Sequence, residues 1–201
     1  MPGELAIFPL ETVLFPDGVL TLRVFEARYL DLVSECTAAA LPFGVCLITD
    51  GSETDPGARH EAVGCTAQIV DFDVEESGLL NVRARGGQRF RVLGRRLRQD
   101  GLIRADIEMI EPDVETRVPP EHADCEMLVR RLVDDLVARE LDPMRRMIAE
   151  PYRFDSASWV GNRICEFLPI APRARQKLME LDDAVTRLSL IHQYLQQHQV
   201  L

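Results

Sequence analysis

Short runs in which apolar and polar residues alternate, separated by glycine, fill the first half of the chain. This period of two is typical of β-strands with one buried face. Strands of this number and length can curl into a small closed or nearly closed sheet. The predicted strands cover residues 19–22, 43–48, 64–73, 79–84, 88–93 and 102–111.

Two prolines frame an apolar run near the start of the chain. Pro9 and Pro16 each lack an amide donor and have a fixed φ. The run between them is therefore predicted to be a short strand or edge segment that ends in a Pro-Asp-Gly turn at 16–18. A strand over 19–22 follows, and the spacing over 25–36 predicts a short helix. One face of that helix carries Tyr29, Leu32 and Val33.

Glycine-rich segments mark the predicted breaks between strands. Gly86 and Gly87 separate two apolar alternations, and we predict that they bend a hairpin between 79–84 and 88–93. Residues 50–60 are rich in glycine, aspartate, serine and proline, which is typical of a mobile surface loop.

The period changes from two to helical near residue 115. After Pro119 and Pro120, apolar residues recur at three and four positions along a helix that ends at 141–143. Its apolar stripe consists of Leu128, Val129, Leu132, Val133, Leu136 and Val137. Because such a stripe must be covered, we predict that it packs in a core rather than forming a binding surface.

Further helical repeats follow to the end of the sequence. A second helix ends at Pro169, Pro172 suits the first turn of a third helix, and the C-terminal segment breaks at 182–183. The whole pattern predicts an α+β protein. We expect a β-rich domain over residues 1–117 and a helical bundle over residues 118–201.

The composition is that of an ordinary globular protein. Hydrophobic residues make up 46% and charged residues 28% of the chain. No apolar run approaches the roughly 18 residues that cross a bilayer, so we expect a cytoplasmic protein with no membrane contact. The net charge of −10 argues against general affinity for nucleic acid.

The metal-ligating residue types are scattered. The five cysteines never form a Cys-x-x-Cys pair, and we predict buried reduced thiols rather than disulfides or metal ligands. His122 and Cys125 are ligand types three positions apart, but no second pair completes a tetrahedral zinc site. We therefore expect no metal and no other cofactor.

Three motifs in the first thirty residues occur in the order of a known family. They are Pro-Leu at 9–10, Val-Leu-Phe-Pro-Asp-Gly at 13–18 and Phe-Glu-Ala-Arg-Tyr at 25–29. Together they resemble the opening of the N-terminal, substrate-binding domain of Lon proteases, with a departure at Asp17. The resemblance continues at 63–69 (VGCTAQI), 86–92 (GGQRFRV), 168–169, 176–180 and 187–188.

The resemblance implies a PUA-like β-barrel in the first half of the chain, followed by a C-terminal α-helical bundle. In that family the domain helps to select and hold unfolded or tagged proteins. We therefore expect a non-catalytic module that binds unfolded or exposed polypeptide segments. Its role would be that of an adaptor in protein quality control, a weak chaperone-like binder or a competitor of the full protease. Self-association is a further partner hypothesis.

The sequence argues against the enzymatic activities of the family. From its 201 residues we expect the N-terminal domain alone, as a stand-alone protein without the ATPase and peptidase modules. Lys177 is the only lysine and lies outside any Gly-x-x-x-x-Gly-Lys phosphate loop. A Ser-Lys site, which the resemblance implies for the protease, would also have to use Lys177, and no serine is nearby in sequence. We expect no catalytic residue.

A module that binds unfolded chains needs an apolar surface that stays exposed. The candidates are the turn-proximal rings of Phe15 and Phe43, with Pro16 shaping the rim and Arg28 and Tyr29 behind them. For Arg28 and Tyr29 we favour a structural role, in which the arginine pairs with a carboxylate and the ring is buried.

RNA binding is the alternative function, because a cluster of arginines lies in a barrel type that binds RNA in other families. Neighbouring acidic residues would offset much of the positive electrostatic field of these arginines. An unrecognised hydrolase is a third hypothesis, but no His-Asp-Ser or paired-carboxylate arrangement is evident. The cluster consists of Arg83, Arg85, Arg89, Arg91, Arg95, Arg96, Arg98 and Arg104.

Overall fold

The computed structural model describes residues 2–75 and 79–200 of a mixed α/β protein. These residues form two compact units, the first ending at Glu111 and the second beginning at Pro112.

Seven strands and one helix make up the described part of the first unit. In chain order they are β1 (Pro2–Leu10), β2 (Val19–Val24), α1 (Ala27–Ala39), β3 (Phe43–Asp50), β4 (Arg59–His60), β5 (Val63–Val74), β6 (Leu80–Leu97) and β7 (Ile103–Met109). The strands predicted at 19–22, 43–48, 64–73 and 102–111 are confirmed, with ends shifted by one to two residues.

The strands pair in the order β1-β7-β6-β5-β3-β4, and β2 pairs with β6. All of these pairings are antiparallel. β3 also pairs with β1 in parallel, from Ile7 opposite Gly44 to Leu10 opposite Leu47. Because of this pairing, β1, β7, β6, β5 and β3 are joined in a circuit of hydrogen-bonded neighbours.

The segment between Pro9 and Pro16 differs from its prediction. Pro9 lies inside β1, and residues 11–18 are outside any strand. The pairing of β1 with β7 ends at Ile7. At Pro9 the strand pairs only with β3 among the described strands. Proline is tolerated there because its missing amide hydrogen is not needed on the side where β7 has ended. The predicted turn is confirmed, since Gly18 N donates to the Phe15 carbonyl oxygen at 3.0 Å.

β6 is one continuous strand of 18 residues, so the hairpin predicted at Gly86 and Gly87 is wrong. The strand changes neighbours instead of reversing: its first part pairs with β2 and its last part with β7. A Cβ at Gly86 would lie 2.1 Å from the Phe15 carbonyl oxygen, a close backbone approach that a larger residue prevents. The β5–β6 register shifts between Cys65 and Ala67, next to the glycine pair, as in a β-bulge.

Apolar side chains cover both faces of the sheet. One cluster joins the sheet to α1 and includes Phe8, Leu32 and Phe43. A second cluster, on the other face, includes Ile7 and Phe90. Residues 5–10 of β1 are buried without interruption, so this strand has no polar alternation by which the sequence could reveal it.

α1 begins two residues later than predicted. Glu26, at the N-cap, has extended backbone, so the helix starts at Ala27. Ala40 ends the helix in the left-handed conformation. The predicted inner face is confirmed, because Tyr29, Leu32 and Val33 are all buried.

Four α-helices make up most of the described part of the second unit. They are α2 (Ala123–Arg139), α3 (Ala157–Phe167), α4 (Pro172–Glu180) and α5 (Ala184–Gln197), with short 3-10 turns at Pro120–His122 and Pro143–Arg145. The predicted boundaries are confirmed: α3 ends before Pro169 and α4 begins with Pro172. Asp183 caps α5 by accepting a hydrogen bond from Thr186 N at 2.6 Å.

A buried ion pair fixes the connection between α4 and α5. The Asp113 carboxylate accepts hydrogen bonds from Arg187 Nη1 at 2.7 Å and from Ser158 Oγ at 2.6 Å. Arg187 Nε also donates to the Leu178 carbonyl oxygen at 2.9 Å, and Nη2 donates to that of Leu181 at 2.5 Å. The arginine thus satisfies carbonyl groups at the end of α4 while its charge is compensated.

All five cysteines are buried and free, in agreement with the prediction of buried thiols. Within residues 2–75 and 79–200, no helix combines the length and the apolar character that spanning a bilayer requires.

Candidate functional site

Phe15 and Phe43, the predicted anchor rings, lie in the core, where the two residues are 0% and 1% exposed. Phe43 belongs to the cluster that joins the sheet to α1. The expectation that these rings form an exposed apolar surface is therefore wrong. In this conformation neither ring can touch a bound peptide.

Pro16 is partly exposed and lies in the turn that follows Phe15. That turn is held against β6, since Asp17 N donates to the Gly86 carbonyl oxygen at 2.8 Å and the Asp17 carboxylate accepts from Arg85 at 2.9 Å. Asp17 has a φ of 62°, which aspartate tolerates better than most residues. The position that departs from the family pattern is therefore a left-handed turn residue.

Arg28 is buried and connects α1 to two loops. Its Nη1 donates to the Gly101 carbonyl oxygen at 3.0 Å, and its Nη2 donates to that of Thr54 at 3.1 Å. Nη2 also lies 2.8 Å from Glu26 Oε2. The predicted carboxylate pair is confirmed, and the described contacts of Arg28 are structural.

Tyr29 is buried beside Arg28, whose guanidinium carbon lies 4.6 Å from the centre of the ring. Burial raises the pKa of Tyr29 to about 12, although the charge of Arg28 opposes this shift. The phenol is therefore neutral near neutral pH. The predicted burial of this ring is confirmed.

An open pocket of about 400 Å³ lies in the first unit, bordered by α1, β1 and β7. Its size falls within the usual range for ligand pockets. Thr66 and Gln88 also contribute to the lining. The apolar wall of this α1 pocket is formed by Leu5, Leu32, Leu41, Ile107 and Met109.

Charged side chains border the α1 pocket on one side. Arg104 Nη2 lies 3.0 Å from Glu35 Oε2, and Arg104 Nε lies 4.0 Å from Glu4 Oε1. These groups are partly or wholly exposed. The pocket therefore offers an apolar wall and, next to it, both signs of charge.

Cys36 lines the α1 pocket but does not supply a nucleophile. Burial raises the pKa of its thiol, and the nearby charge of Arg104 only partly opposes this effect. A thiol with a raised pKa stays protonated near neutral pH and reacts slowly. The geometry of the pocket suits binding rather than covalent chemistry.

The sequence pattern predicts the helix that borders the pocket but not most of the residues that line it. It places Leu32 on the inner face of α1 and gives no indication of Leu41 or Met109. Leu41 is a large apolar residue directly before Pro42 in a connecting segment. Exposed apolar residues in such segments are the signal that could have indicated this site.

At least five of the eight arginines in the cluster contact acidic side chains or a carbonyl group within the first unit. Arg98 lies 2.9 Å from an oxygen of Asp100, and Arg96 pairs with Glu4. Arg95 donates to the Ala58 carbonyl oxygen at 2.9 Å. Together with the pairs of Arg85 and Arg104, the ion pairs of Arg96 and Arg98 offset part of the positive charge of the cluster.

Residues of types that occur in catalytic sites are present in the second unit, where they make other contacts. Lys177 is exposed on α4 and pairs with a glutamate of the same helix at 2.7 Å. His122 Nε2 lies 2.9 Å from Ser189 Oγ, but Asp124 contacts His192, at 2.8 Å, instead of His122. The serine–histidine pair thus has no orienting carboxylate within the described residues. The same residues contain no group of three or more metal-ligating side chains that could hold an ion.

Comparison with protein families matches residues 4–197 to the ATP-dependent protease La (LON) substrate-binding domain. Among solved structures, a Lon N-terminal domain protein from Xanthomonas campestris is 36% identical, with a TM-score of 0.77, and the match covers 96% of this chain and 98% of that one. The N-terminal domain of Mycobacterium avium complex Lon protease has the same fold at 15% identity, with a TM-score of 0.63 and coverage of 98% and 100%.

Proposed function

This chain belongs to the ATP-dependent protease La (LON) substrate-binding domain family, and we propose that it is a non-catalytic module that binds unfolded or exposed segments of other polypeptides. The resemblance inferred from the motifs in the first thirty residues is confirmed by the family match. Membership supports substrate binding in general. The polypeptide nature of the substrate is the step that we propose.

The observation that carries this proposal is the α1 pocket. Its wall of leucine, isoleucine and methionine side chains can receive an apolar side chain of a bound segment. Arg104 and Glu35, at its border, can contact the polar main chain that accompanies such a side chain. A binder of many sequences needs this combination, because unfolded chains share exposed apolar residues and a backbone.

Leu41 provides the test, because it lines the pocket and is 58% exposed, whereas Leu93 is 59% exposed on β6 and does not line it. We expect Leu41→Asp to weaken the binding of a fluorescently labelled, permanently unfolded protein about tenfold, since a leucine contact of on the order of 1.5 kcal/mol is lost. Leu93→Asp is the matched control and should leave affinity unchanged. Equal affinities of both variants and the unchanged protein, measured by fluorescence anisotropy, would contradict the proposal.

For the architecture, we infer that the circuit of β1, β7, β6, β5 and β3 is a PUA-like β-barrel and that α2–α5 form a helical bundle. The parallel pairing of β1 with β3 supports the first inference. The second is supported by the shared buried network of Asp113, Ser158 and Arg187, which reaches from α3 to α5. The predicted domain boundary at 117 remains part of this proposal.

In the cell, we propose that the module acts in the cytoplasm as an adaptor in protein quality control. The five buried free thiols fit a reducing compartment.

We also propose that the chain neither hydrolyses ATP nor cleaves casein, because its only lysine pairs with a glutamate on α4. Turnover that co-purifies with the protein and disappears in Lys177→Ala would contradict this.

A further inference from the structure

The second half of β5 forms an edge of the sheet. β3 pairs with β5 only as far as Ala67, whereas β6 pairs with β5 up to Val74. From Val70 to Val74, no other described strand pairs with the outer side of β5, and all five residues are exposed. This segment, residues 70–74, is called the β5 edge below.

The apolar face of the sheet continues onto the β5 edge, where no other described strand covers its side chains. The register places Phe72 opposite Val82, and Val82 opposite Leu22 on β2. Directly paired residues point to the same face of a sheet. Leu22 and Val82 are buried, but Phe72 is 50% exposed, and Val74, in the next row, is 61% exposed. One more strand beside β5 would extend these rows and cover both side chains.

The other face of the β5 edge carries two carboxylates, and the register places Arg83 of β6 opposite one of them, Asp71. Asp71 and Asp73 alternate with Phe72 and Val74, so their carboxylates lie on the opposite face. Both carboxylates are exposed, and neither has a hydrogen bond or ion pair to any residue within 2–75 and 79–200. An added strand would place its own side chains beside these two charges.

The backbone at the β5 edge also points its hydrogen-bonding groups outward. Glu75 N donates to the Leu79 carbonyl oxygen at 2.8 Å. Hydrogen-bonded pairs alternate along an antiparallel ladder, so Asp73 and Asp71 bond to β6. The amide and carbonyl groups of Phe72 and Val74 therefore point away from β6, where they can pair with a further strand.

We propose that the β5 edge binds an extended segment of another polypeptide by strand addition, and that the preferred segment alternates basic and apolar residues. Basic side chains would face Asp71 and Asp73, and apolar ones would cover Phe72 and Val74. Main-chain hydrogen bonds supply affinity in this mode and the alternating side chains supply specificity. This inference rests on the proposed function and adds a substrate class and a second contact site to it.

A second copy of this chain is a poorer occupant. Two β5 edges paired with each other would bring four exposed aspartates together, and like charges on neighbouring strands repel. Charged residues on an exposed edge are also a common protection against self-pairing. A basic segment of another chain meets the same carboxylates with attraction.

Three labelled nonapeptides test the inference by fluorescence anisotropy: KVKVKVKVK, EVEVEVEVE, and KKKKKVVVV, which has the composition of the first without its alternation. We expect KVKVKVKVK to bind about fivefold more tightly than the other two. EVEVEVEVE places like charges beside Asp71 and Asp73, and KKKKKVVVV cannot present lysines on one face of a strand and valines on the other. The double variant Asp71→Lys, Asp73→Lys should reverse the preference in favour of EVEVEVEVE. Equal binding of the two lysine peptides would show that net charge alone is responsible and would overturn the inference.

Proline at position 74 tests the strand pairing itself. Val74→Pro removes an amide that points outward while leaving the bonds to β6 in place, and Val74→Ala trims the side chain but keeps the amide. We expect the proline variant to bind KVKVKVKVK about tenfold more weakly and the alanine variant to lose less than about threefold. Circular dichroism verifies that both variants are folded. Equal affinities of the two folded variants would overturn strand addition.

Two further results separate this inference from the proposed function. If the unfolded protein binds in a Leu41-dependent manner but KVKVKVKVK does not bind, the β5 edge is not a site and the proposed function stands. If neither ligand binds, both are wrong. A dimer in light scattering that Val74→Pro converts to a monomer would show that the occupant is a second copy and would overturn the choice of partner.

Discussion

The ring of Phe8, on β1, stacks on the ring of Tyr29, on α1, with 3.8 Å between the ring centroids and 4° between the ring planes. Both residues are buried in the cluster that joins the helix to the sheet. Arg28 lies beside the same ring and reaches the carbonyl groups of two loops. The family-like motif at 25–29 thus fixes the start of α1 to the sheet that it covers.

This packing predicts a stability change at high pH. Burial raises the pKa of Tyr29 to about 12 from its ordinary value of 10.0. Below pH 10 the phenol is neutral in both states, so its contribution to stability is fully present. As pH rises from 10 to 12 the unfolded state ionises first, and this contribution is lost. Tyr29→Phe keeps the stacked ring but has no phenol to ionise. In urea titrations, the free energy of unfolding of this variant should therefore decline less between pH 10 and pH 12 than the free energy of unfolding of the unchanged protein. Parallel declines would contradict the shifted pKa.

The burial of Phe15 and Phe43 predicts that their loss affects stability rather than affinity. Phe15→Ala and Phe43→Ala should each cost about 3–5 kcal/mol in the free energy of unfolding, because a buried ring leaves a cavity. Phe25, which is 63% exposed, supplies the control, and Phe25→Ala should change the melting temperature little. Affinity for an unfolded protein, measured on the fraction that remains folded, should stay unchanged. A folded Phe15→Ala protein with an unchanged melting temperature and lost affinity would restore this ring as a binding anchor.

Because β6 is one continuous strand, we expect alanine substitutions at two of its glycines to have different effects on stability. At Gly86 a Cβ would lie 2.1 Å from a backbone oxygen, whereas at Gly94 the nearest atom is a flexible aspartate side chain at 3.7 Å. Gly86→Ala should therefore cost about 1–3 kcal/mol or prevent folding, because the turn at Phe15 must move. Gly94→Ala should be tolerated. Thermal melts of the two variants distinguish these expectations. Similar melting temperatures would show that the close approach of Phe15 does not restrict the residue at position 86.

The ion pair of Asp113 and Arg187 predicts a large effect from a single substitution. Asp113→Ala leaves the buried guanidinium without its carboxylate and should cost about 3–5 kcal/mol in the free energy of unfolding. Replacing both members, in Asp113→Leu with Arg187→Met, should restore part of the loss, since no buried charge is then uncompensated. Chemical unfolding of the single and double variants gives both values. A double variant less stable than Asp113→Ala would argue that the hydrogen bonds of Arg187 to the carbonyl groups near α4 matter more than the charge.

Local pattern was enough to find most of the elements. Alternation located β3, β5 and β7, and prolines or aspartates placed the boundaries of α3, α4 and α5, because caps and breakers act within a few residues of themselves. The order of short motifs was also enough to find the family, since it requires no knowledge of which residues touch. The sequence failed at β1, where burial on both faces removes the alternation.

The features that only the tertiary structure determines depend on contacts between residues far apart in the chain. Gly86 and Gly87 look like a turn, but they lie inside one continuous strand, and the Phe15 carbonyl group, about seventy residues earlier, closely approaches Gly86. Phe15 and Phe43 look like anchors beside turns, but both are buried, and Phe43 lies in the cluster between the sheet and α1. The α1 pocket and the β5 edge likewise exist only through the pairing of distant strands. Local composition specifies the conformation of a segment, whereas exposure is set by which segments pack against it, and it is exposure that determines which residues can bind.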